Sequence, residues 1–175
     1  KGEDTDREFL TIEELRVLSM AECEFPEIKR AFLFSCLTGL RYSDIVALRW
    51  GDIRQQGQFT RIVYRQQKTG KQEYLDITPQ ALQYMGVRGR DNEAIFNCPR
   101  LCNKHLREWA QSAGIAKHIT FHSGRHTFAV MMLDLGVDIY TVSKMLGHKD
   151  IKTTQIYAEL LDKRKQEAVL RIPEI

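Results

Sequence analysis

Hydrophobic spacing divides the chain into helical stretches on either side of one alternating stretch. Thr11 can cap a first helix, with Glu13 and Glu14 in the turn where the macrodipole favours acids. Pro26 suits the first turn of a second helix through about Leu37. Ile28, Ala31, Phe32, Leu33, Phe34, Cys36 and Leu37 make that helix apolar on nearly every side, so it should be central in the core. Gly39 ends it, and Ser43-Asp44 can start a short helix carrying Ile45, Ala47 and Leu48. The period then shifts to two. Phe59 to Gln66 and Gln72 to Ile77 alternate and carry β-branched and aromatic residues, which predicts a hairpin around Lys68-Thr69-Gly70-Lys71. A third strand is expected around Trp50 to Arg54, joined through Gln55-Gln56-Gly57-Gln58.

Helix resumes at Thr78-Pro79, and Met85 to Asn92 reads as a polar loop. Leu106, Trp109 and Ala110 share one face of a helix from Asn103 to Ala113. Phe121, Phe128, Met132 and Leu135 predict a core stripe on a helix that Gly136 stops. Ile139 to Leu146 forms the next helix, stopped by Gly147. Asp150 can cap a helix carrying Tyr157, and a separate amphipathic helix is expected from about Leu160 to Leu170. The expected fold class is therefore α+β, mostly helical, with a small three-stranded antiparallel sheet.

Composition narrows the setting. At 175 residues, 43% hydrophobic and 28% charged, the chain suits one folded domain with a substantial core. No apolar run approaches the length of a membrane span, and the first residues, Lys1 to Glu8, are charged rather than signal-like. The lack of an initiator Met suggests a fragment of a longer protein. A formal net charge of +3 is compatible with nucleic acid without requiring it. Cys23 and Cys36 fall in helical segments, as expected of reduced, packed thiols in a cytoplasmic setting. Cys98, Cys102 and His105 form C-x3-C-x2-H, but no fourth ligand stands at matching spacing, so no metal is expected.

The residues suited to chemistry cluster in the last third. His122 and Arg125, three apart, share a face at a helix N-terminus, where backbone N–H groups already favour anions. Arg presents a planar fork for two phosphate oxygens, and His can donate a hydrogen bond or move a proton near neutral pH. The same residues also suit a helix start with a solvated Arg and half-buried imidazoles. His126 points elsewhere and fits a supporting role. His148 follows a Gly-marked helix stop, which puts its imidazole on a tight turn. Tyr157 could attack a phosphorus atom, although a phenol of pKa about 10 is ionised only to roughly one part in a thousand near pH 7. It would need a base or positive potential from groups such as His122, Arg125, Arg41 and His148. A helical Tyr beside Ile156 can equally be packed. Lys68 lies in the hairpin turn, where it could be inert, or could protonate a leaving oxygen; Lys71 could substitute for it.

Taken in order, Thr38-Gly39-Leu40-Arg41-Tyr42-Ser43-Asp44, His122-Ser123-Gly124-Arg125-His126 and Leu146-Gly147-His148 with Thr153-Thr154 and Tyr157 resemble the catalytic domain of the tyrosine recombinase (phage integrase) family. With Lys68 the resemblance covers nearly all of residues 1–175, read as one catalytic domain without the helical DNA-clamping domain that precedes it in the family. Two positions depart: Gly124 replaces an apolar residue, and Asp44 stands where Glu is common. Gly weakens a helix interior by about 0.5–1 kcal/mol relative to Ala.

The resemblance implies a site-specific recombinase or integrase of a mobile element. Tyr157 would attack a DNA phosphodiester to give a 3′-phosphotyrosyl link, with Arg41, Arg125 and His148 on the non-bridging oxygens. His122 would be the general base, Lys68 the general acid, and Asp44 and His126 supports, with no cofactor or metal. It implies double-stranded DNA as partner, a homotetramer on two paired sites, accessory DNA-bending or directionality proteins, no membrane, and a bacterial nucleoid-associated location. The apolar residues of the last helix could dock on a neighbouring protomer or on their own domain. Alternatives are a type IB topoisomerase-like enzyme, a catalytically silent DNA-binding regulator on the same fold, and a His-rich metal hydrolase.

Overall fold

The computed structural model describes residues 8–98 and 102–173. The chain forms two compact units, Lys1–Phe128 and Ala129–Ile175. Among the described residues no helix is long and apolar enough to cross a membrane.

In the first unit, α1 (Ile12–Met20) begins with a reciprocal cap. Glu14 N–H donates to Thr11 Oγ1 at 3.1 Å, and Thr11 N–H donates to Glu14 Oε2 at 2.8 Å. Helix α2 (Pro26–Thr38) is the buried centre, with Ile28, Ala31, Phe32, Phe34 and Cys36 all sealed from solvent. Phe32 packs edge-on against both Trp109 and Phe121. Gly39 ends α2 in the left-handed region at φ 71°, a conformation in which a Cβ is strained. The short α3 (Tyr42–Ala47) follows, with Arg41 at its N-cap.

The three strands β1 (Ile53–Gln56), β2 (Phe59–Arg65) and β3 (Gln72–Ile77) pair antiparallel in sequence order. Ile53 faces Ile62, and Ile62 faces Leu75. These residues, with Tyr64 and Ile77, give the sheet one buried face. The first strand starts later than expected. Trp50–Asp52 is instead a 3₁₀ turn, because Asp52 Oδ2 accepts from Arg49 N–H at 2.9 Å and Asp52 N–H returns to Arg49 O at 2.9 Å. Helix α4 (Pro79–Met85) is capped by Thr78, whose Oγ1 accepts from Ala81 N–H at 3.1 Å. Helix α5 (Cys102–Ser112) buries Leu106, Trp109 and Ala110, and α6 (Phe121–Asp134) starts in this unit.

The second unit contains the end of α6, then α7 (Ile139–Met145) and α8 (Lys152–Val169). Asp138 caps α7 by accepting from Thr141 N–H at 2.9 Å and from its hydroxyl at 2.7 Å. Two expectations are corrected here. No break occurs near Leu160: α8 is one helix of 18 residues, since nothing between Tyr157 and Leu170 interrupts it as Gly or Pro would. Leu135 is not core but 65% exposed, because α6 ends at Asp134 and Gly136 turns the chain at φ 85°. Asp150, the expected cap, stands one residue before the observed N-cap Ile151, yet its Oδ1 accepts from Lys152 N–H at 3.0 Å. At the C-terminal end, Val169, Leu170 and Ile172 are exposed.

Candidate active site

The first turn of α6 opens onto a cavity of about 390 Å³ lined by Arg41, Tyr42, Ser43, Cys102, Asn103, Phe121, His122 and Arg125. Its walls come from distant parts of the chain. Gly39 turns the main chain out of α2 so that Arg41 meets the cavity at the head of α3. Asn103 in α5 holds the opposite wall: its Oδ1 accepts from Phe121 N–H at 2.8 Å, satisfying a donor that the start of α6 would leave open. Phe121 is fixed by Tyr42, with ring centroids 4.8 Å apart. His122, one residue on, is exposed. Arg125 is 4% exposed, and its Nη1 donates to Gly39 O at 2.7 Å, which ties α6 to the turn that delivers Arg41. His126 is buried and packs edge-on against the His122 ring, with centroids 4.4 Å apart.

Asp44 connects this cavity to the hairpin. One carboxylate oxygen, Oδ2, lies 3.8 Å from Arg41 Nη1 and has no hydrogen-bond partner; the other, Oδ1, accepts from Gln67 N–H at 2.8 Å. Asp44 is 2% exposed, so its charge is held near an arginine with little water to screen it. Lys68 follows Gln67 on the exposed turn. Tyr64 is buried near the same residues. Burial and then the Asp44 charge push its phenol up to about 12, opposed by the Gln66 side chain and the Arg125 charge.

Within the second unit, Gly147 adopts φ 63° and lets the chain turn back so that His148 N–H donates to Ser143 O at 3.0 Å. His148 Nδ1 lies 2.8 Å from Thr154 Oγ1, a hydrogen bond whose donor depends on the ring tautomer. Thr154 and Tyr157 are three apart and share a face of α8, and both are buried. The loop histidine is thus fixed one turn before Tyr157.

Arg41, His122 and Arg125 therefore meet at one cavity, Lys68 is tied to it through Gln67 and Asp44, and His148 is bonded to Thr154, one turn before Tyr157 on α8. Asn103 and Gln66 stand outside every motif in the sequence, and Tyr42 lies inside the first box without a feature that singles it out; Asn is a capping residue type, but Asn103 caps a helix other than its own. Cys98 and His105 take other partners. Cys98 Sγ donates to Glu27 O at 3.4 Å, and the His105 ring lies on Phe25 with its Nδ1 3.2 Å from Glu108 Oε2. Among the described residues, no group of three or more His, Cys, Asp or Glu is arranged to hold a metal ion.

Comparison with known proteins shows the family and the fold. The fold is that of tyrosine recombinase catalytic domains, and the chain belongs to the phage integrase family, which it matches over residues 8–164. Tyrosine recombinase XerA of Pyrococcus furiosus is 36% identical over 149 residues, covering 77% of this chain and 50% of that protein. A crystal structure of XerA recombinase superposes with a TM-score of 0.72 at 25% identity, over 99% of this chain and 67% of the other. The catalytic domain of bacteriophage HP1 integrase matches in fold, with a TM-score of 0.69 at 22% identity over 94% and 95% of the two chains. The chain spans about half the length of the curated relatives it matches.

Proposed function

We propose that the protein is a site-specific DNA recombinase that cuts and rejoins strands through a 3′-phosphotyrosyl intermediate and moves a mobile element. The observation that carries this reading is the convergence of Arg41, His122 and Arg125 on one cavity at the start of α6. Two arginines and a helix N-terminus there form a fixed positive site of the kind that stabilises charge on non-bridging phosphate oxygens. Family membership and the crystal structures of XerH recombinase and lambda integrase bound to their DNA sites support double-stranded DNA as the substrate.

In the proposed reaction the Tyr157 hydroxyl gives its proton to His122 as its oxygen bonds to phosphorus. The bond from phosphorus to the 5′-oxygen breaks, and the Lys68 ammonium protonates the departing oxygen. Arg41 and Arg125 hold the non-bridging oxygens, with a further hydrogen bond from His148. The phosphotyrosyl bond keeps the energy of the phosphodiester, so a 5′-hydroxyl of a partner strand can reverse the step without ATP. Guanidinium groups take the charge-stabilising role, and no divalent cation is required. Pairing of two duplexes calls for four copies of the protein, and the exposed Val169, Leu170 and Ile172 suit docking on a neighbouring copy.

Covalent trapping tests the reading. The full-length protein is incubated in EDTA with a nicked duplex carrying its own element's junction, and a protein–DNA adduct is sought on a denaturing gel. An adduct lost in Tyr157→Phe supports it. DNA retention without any adduct would point to a silent DNA-binding protein, and supercoil relaxation without strand exchange to a topoisomerase-like enzyme.

A further inference from the structure

We propose that Gln66 is the positioning residue for Lys68, an inference that rests on the general-acid reading of that lysine. Gln66 stands at the root of the turn between β2 and β3 and is 1% exposed, whereas residues 67–71 are all exposed. From this buried place it makes three bonds to the turn. Its N–H donates to Lys71 O at 2.9 Å, its C=O accepts from Gly70 N–H at 2.8 Å, and its side-chain Oε1 accepts from Thr69 Oγ1 at 2.8 Å. On the other side of Lys68, Gln67 N–H is held by Asp44 Oδ1 at 2.8 Å. Lys68 is thereby bracketed by two tethered neighbours: Gln67, held by the carboxylate beside Arg41, and Thr69, held by the amide of Gln66.

A flexible exposed lysine gains reach from its stem but loses precision unless its backbone is fixed. The two backbone bonds of Gln66 would form with almost any residue in its place. The bond to Thr69 needs a side-chain acceptor of this length. The other end of the same amide, Nε2, is buried and faces the Tyr64 phenol. An isosteric apolar side chain such as Met would fill the space with no buried donor to satisfy. The amide is therefore a poor choice for packing alone and a good one for setting the turn.

The test uses two nicked duplexes, one with the ordinary 5′-oxygen at the scissile phosphate and one with sulfur in that position. A thiol has a pKa of about 8.5 and departs as the anion without a proton donor. In the full-length protein, Gln66→Met should cleave the oxygen substrate roughly tenfold or more slowly, part of the roughly 10²–10⁴-fold that a positioned general acid supplies. It should cleave the sulfur substrate within about twofold of wild type, and its melting temperature should not fall. Thr69→Val removes the donor of the same bond from the exposed side. It should show a smaller loss with the same sulfur rescue, and it reads the bond even if the buried variant does not fold. Lys68→Ala is the reference. If it is rescued by sulfur while Gln66→Met and Thr69→Val are equally slow on both substrates, or unaffected on both, Gln66 does not position the acid. If Lys68→Ala is not rescued, the general-acid reading falls and this inference falls with it.

Discussion

A methyl group at position 124 would lie 2.9 Å from Ser35 Oγ, 3.0 Å from Ser35 Cβ and 3.3 Å from Phe32 Cε2. The glycine between His122 and Arg125 is therefore the contact that lets α6 press onto α2, and it is not a weak point in the helix. Helix propensity favours Ala over Gly by about 1 kcal/mol, while overpacking a filled core costs about 1–3 kcal/mol. Gly124→Ala should then lose up to about 2 kcal/mol in urea unfolding, and the loss should shrink or reverse in a Ser35→Gly background. No such coupling would mean that the two helices do not meet as closely as this. Arg125 has a different kind of constraint, since one of its nitrogens is committed to Gly39 O. A lysine is a single point charge and cannot hold that carbonyl and two phosphate oxygens together. Arg125→Lys should lower adduct formation by roughly 10²–10³-fold, the range for losing a transition-state donor. Because the defect is at the non-bridging oxygens, a sulfur leaving group should not restore it.

At the level of elements, the start of α6 depends on a side chain of α5. Asn103→Ala removes the acceptor for Phe121 N–H and should cost about 1 kcal/mol of stability, as loss of a helix cap does. Asn103→Asp keeps the acceptor and adds a charge that the macrodipole favours, so stability should hold or rise. Strand cleavage should nevertheless fall, because a carboxylate then shares the cavity with the phosphate. Thermal melts beside single-turnover cleavage separate the two effects; parallel changes in both would mean that Asn103 only caps. The type and order of the elements were legible because apolar spacing and the stops at Gly39, Gly136 and Gly147 act locally. The family boxes likewise announced Arg41, His122, Arg125, His148 and Tyr157 as candidates. What stayed hidden depends on contacts across the sequence. Asn103 caps a helix 18 residues away, Gln66 is buried by tertiary packing although its neighbours are exposed, and the 3₁₀ turn at Trp50 is closed by the Asp52 carboxylate. The break expected near Leu160 had no stop residue behind it, and a weakening of the apolar pattern is not enough to end a helix.

Across the first unit, burial shifts several thiols and phenols in one direction. Burial pushes the thiols of Cys36 and Cys98 upward, Cys98 to about 12 from an ordinary 9.0, and raises Cys102 as well. It lifts the Tyr64 phenol from 10.0 to about 12. All four are acids that the folded state keeps protonated, so the unfolded chain releases protons first as the pH rises. Unfolding is then coupled to proton release from about pH 9 for the thiols and about pH 10 for Tyr64. Stability is fully present below that window and declines through it, levelling near pH 12 for Cys98 and Tyr64. Each group ionised only in the unfolded state adds a slope of about 1.4 kcal/mol per pH unit. The melting temperature should accordingly be flat from pH 7 to 8.5 and drop steeply between pH 9 and 11. Tyr64→Phe should flatten the part of that drop above pH 10 and leave the part below it unchanged. The same variant bears on the site, because Tyr64 lies between Asp44, Gln66 and Arg125. Cleavage that survives Tyr64→Phe with the alkaline slope reduced would make the phenol a packing group. Loss of cleavage at pH 7.5 with an unchanged melting temperature would make it part of the network that sets Lys68.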